Sequence, residues 1–485
     1  MTDINLGVGA ANSASGGYEI TNSLKLEADN NEWLYRASPT AGNRQTYTFS
    51  FWIKRIPGTV NAGGNAYVIG AGQHGRMYFG SDFFQFRFDD GHDCRNMSRK
   101  FRDPSAWYHF VVAVDTTIAS PSSDRVKLYV NGESLEVDDH DGGSFPDQTD
   151  QGAFFSTNYL TIGTAPFGGS YNAGDGDFDM RGYLAEFCGV DGQQLAPTDF
   201  GEYDSNGIWI PKDVSNINFG SEGFYLKFDD ASSSGKDSSG NGNNFSDSNL
   251  SAADHATDTP TNNFCTMNSI FKTNDNILVT EGQTKITCGS GTGWLSNVAT
   301  VALTKGKWYW EVASVTSVYQ IFGIADASDD KIPQAAGGYY VGYGSNDTTL
   351  SVGMYMINGQ AYGNQDGGSG VGIAPSAVGD IMSVCLDLDN LGFYIMRNGV
   401  SPTGSDPSSG SSLTGAFTWN DSIYSGYYYP AMSVFQNNGL ETNFGGYTSN
   451  PISSAASDAN GYGNFEYAPP SGYYAICTKN IAEYG

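Results

Sequence analysis

Val126-Lys-Leu-Tyr-Val-Asn-Gly-Glu133 and Phe393-Tyr-Ile-Met-Arg-Asn-Gly-Val400 say nearly the same thing, 267 residues apart measured from Asn131 to Asn398. Each is a short alternating run that ends in Asn-Gly. That dipeptide is the strongest short-range hairpin signal, because the turn needs positive φ at both central residues. Each also follows a strand-like run ending in Asp, Phe110–Asp115 and Ile381–Asp387. Two antiparallel β-sandwiches in tandem are therefore expected.

The composition agrees with an all-β chain. Of 485 residues 63 are Gly, aromatics make up 14 % and charged residues only 16 %, against roughly a quarter in an average soluble chain. Many glycine turns and many Tyr and Phe favour strands joined by polar, uncharged loops. No run of good helix formers is long enough to predict a helix. The length exceeds what a single core supports. The net charge of −28, from 24 basic and 52 acidic residues, disfavours a nucleic-acid partner. No apolar run approaches a membrane span and no signal peptide is read, so membrane insertion is not expected. The six cysteines lack C-x-x-C spacing and predict free thiols in a reducing cytoplasm.

The chain divides into five stretches. Residues 1–20, rich in Gly, Ala, Ser and Asn, read as an arm. Residues 21–203 hold eight or more strand signals, the clearest being Tyr47-Thr-Phe-Ser-Phe-Trp-Ile-Lys54, with Tyr47, Phe49, Phe51 and Ile53 on one face. Residues 204–275 are dominated by turn formers, such as Asp237-Ser-Ser-Gly-Asn-Gly-Asn-Asn244, around one apolar island, Gly223–Phe228. They read as a linker. Residues 276–448 are again strand-rich. Residues 449–485, with Tyr467-Ala-Pro-Pro-Ser-Gly472, read as an extended segment laid across a surface, including that of a neighbouring subunit.

Three resemblances follow from particular residues. Tyr47–Arg55, Trp107-Tyr-His-Phe-Val-Val-Ala-Val-Asp115, Val126–Gly132, Leu160–Gly163 and Gly182–Phe187 resemble a laminin-G-like, concanavalin A-like sandwich in the order that family uses. Gly306-Lys-Trp-Tyr-Trp-Glu-Val312, Gly379–Asp387, Gly392–Gly399 and Asn443-Phe-Gly445 are similar to a SPRY-type sandwich. Ala41-Gly-Asn-Arg-Gln-Thr-Tyr-Thr-Phe-Ser50 near the start, Asp237–Asn244 and Thr257-Asp-Thr-Pro-Thr-Asn-Asn-Phe-Cys265 between the sandwiches, and Tyr467-Ala-Pro-Pro-Ser-Gly-Tyr-Tyr-Ala475 at the end give the chain a layout that resembles virion proteins of tailed bacteriophages, especially marine ones. That last resemblance implies a virion protein, a tail fibre or appendage, assembled in the host cytoplasm. Its partners would be other virion proteins and a host-surface glycan, and it would be a homo-oligomer, with a trimer expected. A capsid decoration or head-fibre protein is the alternative.

The chemistry points to binding. The paired carboxylates of concanavalin A-like glucanases, Glu-x-Asp-x-Glu on one strand, are missing. Glu133 and Glu136 flank a turn and Asp387 and Asp389 sit at a strand end, where solvated turn acids are expected. A glycan depolymerase is therefore disfavoured and no catalytic set is expected. Calcium is the one cofactor the sequence allows for, at Asp175, Asp177 and Asp179, with Asp89, Asp90 and Asp93 as a second choice. Met180 stands where an EF-hand needs Gly, so the motif is not that loop. Sugar recognition would use aromatic rings that stack on pyranose faces. The candidates are Trp294, Tyr339, Tyr340, Tyr362, Tyr427 and Tyr428. Trp52, Trp107, Trp308 and Trp310 lie on patterned strands and read as packing.

Overall fold

The computed structural model describes residues 17–37, 40–57, 65–72, 74–137, 145–165, 179–289, 293–332, 339–343, 350–363, 373, 376–419 and 424–485. Two compact units form, one of them Ala14–Thr261 and the other containing Asn262–Gly485. Each is a pair of antiparallel sheets over its own core, the all-β tandem expected.

In the first unit an eight-stranded sheet runs in the order Glu133–Leu135, Val126–Val130, Tyr108–Asp115, Thr46–Arg55, Gly182–Asp191, Ser23–Leu26 and His255–Ala256, with Phe224–Leu226 also on Gly182–Asp191. A seven-stranded sheet runs from Ser246–Ser248 through Trp33–Ala37, Tyr159–Ile162, Asn65–Ala71, Gly75–Gly80 and Phe83–Arg87 to Asp93–Lys100. Tyr47, Phe49, Phe51 and Ile53 enter the core, as period-2 reading predicts.

The second unit has a six-stranded sheet in the order Met267–Lys272, Trp294–Ala299, Tyr428–Phe435, Gln320–Asp326, Ser351–Tyr355 and Gln360–Gly363. Its partner sheet of eight strands centres on Lys307–Ser314, between Gly439–Asn443 and Ile381–Asp387. Trp308 and Trp310 are fully buried core residues.

Both Asn-Gly turns have positive φ at both residues: 49° and 80° at Asn131-Gly132, 48° and 75° at Asn398-Gly399. The asparagine repeats one device in both. Asn131 Oδ1 accepts from His109 N at 2.8 Å while Asn131 N donates to His109 O at 2.8 Å. Asn398 does the same to Ile381, at 2.9 and 2.8 Å. The side chain thus extends the ladder by one bond past the turn.

Three sequence expectations are corrected. The stretch 204–261 is no linker but part of the first unit. Its turn-forming residues satisfy backbone groups: Asp237 Oδ1 accepts from Tyr225 N at 2.9 Å, and Asn241 Nδ2 donates to Gly220 O and Gly223 O. Residues 262–275 belong to the second unit and contribute the strand Met267–Lys272. The segment 449–485 folds onto its own unit. There Glu311 accepts from Glu466 N and Tyr467 N, Tyr474–Ala475 pairs parallel with Lys307–Ser314, and Thr478–Tyr484 forms a helix. Asp387 is also not a solvated turn acid. It is fully buried, with Lys307 Nζ at 2.7 Å.

Candidate ligand-binding surface

Alternation along the six-stranded sheet sends Leu295, Phe322, Ile324, Met354, Met432 and Val434 inward to the core. Their neighbours must then point outward. Register decides which outward residues meet. Trp294 pairs with Phe435, Phe435 N donates to Tyr319 O, and Ile321 pairs with Tyr355. One end of four adjacent strands therefore carries four aromatic rings. Ring centroids close a circuit: Trp294–Phe435 at 5.2 Å, Phe435–Tyr319 at 6.2 Å, Tyr319–Tyr355 at 6.5 Å and Tyr355–Trp294 at 5.6 Å.

A loop completes the patch. Tyr340 packs on Trp294 at 5.0 Å, and Tyr343 lies edge-on to Tyr340 and Tyr339 at 4.9 and 5.0 Å. Tyr362, on the next strand, lies 6.0 Å from Tyr355. Buried serines fasten the loop to the sheet. Ser296 Oγ donates to Tyr339 O at 3.1 Å, Ser433 Oγ accepts from Val341 N at 2.9 Å, and Ser351 Oγ accepts from Gly342 N at 2.8 Å. Gly353 makes room, since a Cβ there would lie 2.7 Å from Val341 Cγ1.

All eight rings keep part of their surface in water, Tyr319 and Tyr343 most, at 44 % and 38 %. A contiguous aromatic patch on a sheet face is uncommon unless something covers it. Its rim is amide-rich, with Asn358, Gln360, Gln436 and Asn437. Burial raises the phenols of Tyr340 and Tyr355, which stay protonated and can donate and accept.

Four of the six sequence candidates, Trp294, Tyr339, Tyr340 and Tyr362, meet in this patch. Tyr427 is exposed but stands apart from it, and Tyr428 is a core residue whose hydroxyl accepts from Trp419 Nε1 at 3.2 Å. Tyr428 therefore offers no stacking face. Tyr319, Tyr343, Tyr355 and Phe435 complete the patch, although the sequence did not single them out. The alternation in Ser351-Val-Gly-Met-Tyr355 would have shown Tyr355 facing away from Val352 and Met354.

Of the calcium candidates, Asp175 and Asp177 lie outside the described residues. Asp179 is buried, its backbone bridged to Tyr67, and so is not on an open rim. Asp89 accepts from its own loop at Gly91 N and His92 N, Asp90 pairs with Arg87 and His74, and Asp93 pairs with Arg95. These three carboxylates turn to separate partners. Among the described residues, His92, Asp147 and Asp150 bring ligand-type atoms within 4.8 Å of one another, but Asp150 Oδ2 already accepts from Asp147 N at 2.7 Å.

The first unit buries a polar cluster against the outer face of its eight-stranded sheet. His109 Nδ1 accepts from the Trp209 indole at 3.0 Å, and Nε2 lies 2.8 Å from Ser50 Oγ. An indole N–H only donates, so Nε2 carries the proton and donates to the serine. That is the reverse of what a base activating a serine requires. Burial lowers the His109 pKa to about 3, keeping the ring neutral. Nearby Glu186 sits at a bulge with φ 49° and accepts from the hydroxyls of Tyr225 and Tyr18. Burial pushes its carboxyl up to about 7, against the pull of those hydroxyls and of Lys227.

Residues 29–181 match the laminin-G model described as the concanavalin A-like lectin/glucanases superfamily, and this region carries that lectin-like sandwich. E3 ubiquitin-protein ligase RKP of Arabidopsis thaliana is 31 % identical over 155 residues, which is 31 % of this chain and 10 % of that protein. The chain thus spans about a tenth of that relative's length. Among solved structures, the SPRY domain of human HERC1 aligns at 15 % identity and TM-score 0.25, covering 34 % of this chain and 91 % of its own. A heptameric SAP-like pentraxin from Limulus polyphemus aligns at 15 % identity and TM-score 0.26, covering 37 % and 80 %. At such identity the likeness concerns fold alone.

Proposed function

We propose that this protein is a non-enzymatic glycan-attachment component of a tailed-bacteriophage particle. The observation that carries the attachment role is the patch of eight part-exposed aromatic rings on the six-stranded sheet. Aromatic faces take the apolar face of a pyranose, while phenols and rim amides meet its hydroxyls. The lectin-like sandwich and the inverted Ser50–His109 bond favour binding over hydrolysis. The particle setting rests on the sequence resemblance. There the protein acts in the host-assembled virion beside other virion proteins, as a homo-oligomer, for which a trimer is expected. Many copies would make a shallow site effective through local concentration.

Two measurements test the parts separately. Fluorescently labelled protein should be retained by surface polysaccharide from a susceptible bacterium, and Trp294→Ala should release it. Equal retention of both proteins would refute the patch as the contact. Antibody labelling of purified particles should mark the tail or appendages. Signal in the infected-cell lysate with none on particles would remove the virion role.

A further inference from the structure

The charge around the patch narrows its ligand, on the reading that it binds glycans. Of the charged groups among the described residues, Lys331 comes near, with Nζ 5.9 Å from the Tyr339 ring, and it is paired with Asp330 at 2.8 Å. Otherwise the rings are edged by neutral amides, Asn358, Gln360, Gln436 and Asn437. Asn358 Nδ2 already donates to the Tyr362 hydroxyl at 2.7 Å, so that hydroxyl keeps its own proton to donate to another acceptor. An acidic glycan would lose the hydration of its carboxylates or sulfates here and, among the described residues, would find Lys331 already paired with Asp330. The net charge of −28 would repel it further. The described trio of metal-type side chains, His92, Asp147 and Asp150, belongs to the other unit, so no described ligand set bridges a sugar through an ion at the patch.

We infer that the patch selects uncharged polysaccharide and holds it by stacking and neutral hydrogen bonds, with no need for a divalent cation. A neutral chain leaves one face of each pyranose to C–H groups and its edges to hydroxyls. The splayed rings match such faces, with Trp294 tilted 49° to Tyr340 and 75° to Tyr355. Removal of one ring should weaken binding by about tenfold, the scale of a single stacking contact.

Affinity electrophoresis of the full chain would decide this, in gels holding laminarin, galactomannan or hydroxyethyl cellulose as neutral probes and alginate or dextran sulfate as acidic ones. Each gel is run with and without excess EDTA, and at low and high salt. Retardation by at least one neutral probe is expected, unchanged by EDTA or salt. Trp294→Ala should weaken it about tenfold, and so should Tyr319→Ala, whose exposed ring makes misfolding a poor explanation. Retardation by acidic probes alone, or only in the absence of EDTA, would overturn this inference and leave glycan binding standing. No retardation by any probe would overturn both. Sedimentation of the wild type as an oligomer that Trp294→Ala dissociates, without glycan binding, would reassign the patch to a second copy of the chain.

Discussion

Glu186 should make the first unit less stable as the pH rises through neutrality. Its carboxyl has an ordinary value near 4.5 and is held up to about 7 in the fold. A raised folded-state value means that the folded chain binds more protons than the unfolded chain between those two values. Stability therefore falls as pH rises from about 4.5, and the loss is complete above about 7. The shift of about 2.5 in pKa corresponds to about 3 kcal/mol, at 1.36 kcal/mol for each pKa unit. For a unit of this size, 1 kcal/mol moves the midpoint by about 2–4 °C, so Glu186 alone should lower it by about 6–12 °C. The assay is calorimetry of the wild type and Glu186→Gln at about pH 5 and about pH 8.5. Glutamine keeps the shape, accepting from one of the two hydroxyls through its amide oxygen and donating to the other through its amide nitrogen, but cannot ionise. The wild type should lose stability relative to the variant as the pH rises. A constant difference between the two proteins would refute the argument. A reversed difference would mean that Lys227 and the two hydroxyls outweigh burial.

Three further outcomes are expected. Lys54 and Asp258 form a buried pair at 2.7 Å, with Trp107 Nε1 on the other carboxylate oxygen. Asp258→Ala should cost about 3–5 kcal/mol in denaturant unfolding, because it strands the lysine charge. Gly353→Ala should cost about 1–3 kcal/mol and also reduce polysaccharide retention, since the new methyl displaces Val341 and the ring-bearing loop. All six cysteines are buried and outside any disulfide, with burial raising Cys94 and Cys477 to about 12. A thiol reagent should therefore label none quickly in the native protein and six after denaturation.

The hairpins, the strand Thr46–Arg55 and the two cores were legible in the sequence because alternation and Asn-Gly chemistry are local signals. The outer faces were not. Alternation puts Thr48, Ser50, Trp52 and Lys54 on the second face of their strand without saying what meets it, and all four are buried. Residues far along the chain cover them: Gln193 O accepts from Thr48 Oγ1 at 2.8 Å, and Asp258 takes Lys54. Composition also misread 204–261. Asp, Asn, Ser and Gly suit a linker, but the same side chains also satisfy a backbone that lies on a sheet without long regular pairing. The patch was half legible. Trp294 and Tyr340 stood out as aromatics, whereas Phe435 and Tyr355 join them only once strand order is known.

Sheet coverage gives a separate reason to look to the six-stranded sheet. In the first unit, residues 193–261 bury the outer face of the eight-stranded sheet and leave charged groups paired beneath them, as with Lys25 between Glu32 and Asp254. In the second unit, residues 456–477 cover the eight-stranded sheet and use all of Glu311: Tyr309 and Tyr467 on one oxygen, Asn443 and Glu466 on the other. The seven-stranded sheet also carries rings on its outer face, Tyr67 against Tyr78 and Trp33 against Tyr35, but sets polar partners among them: Tyr78 donates to Gln85, Arg76 lies over the Tyr67 ring and Arg95 pairs with Asp93. Such a face is stable in water as it stands. The six-stranded sheet is different. Its loop, Tyr339–Tyr343, covers Ile321, Val298 and Ala431, and eight rings beside and upon it stay part-exposed. Leaving aromatic surface wet forgoes roughly 25 cal/mol for each Å² that burial would recover. That free energy is available to a ligand at the six-stranded sheet.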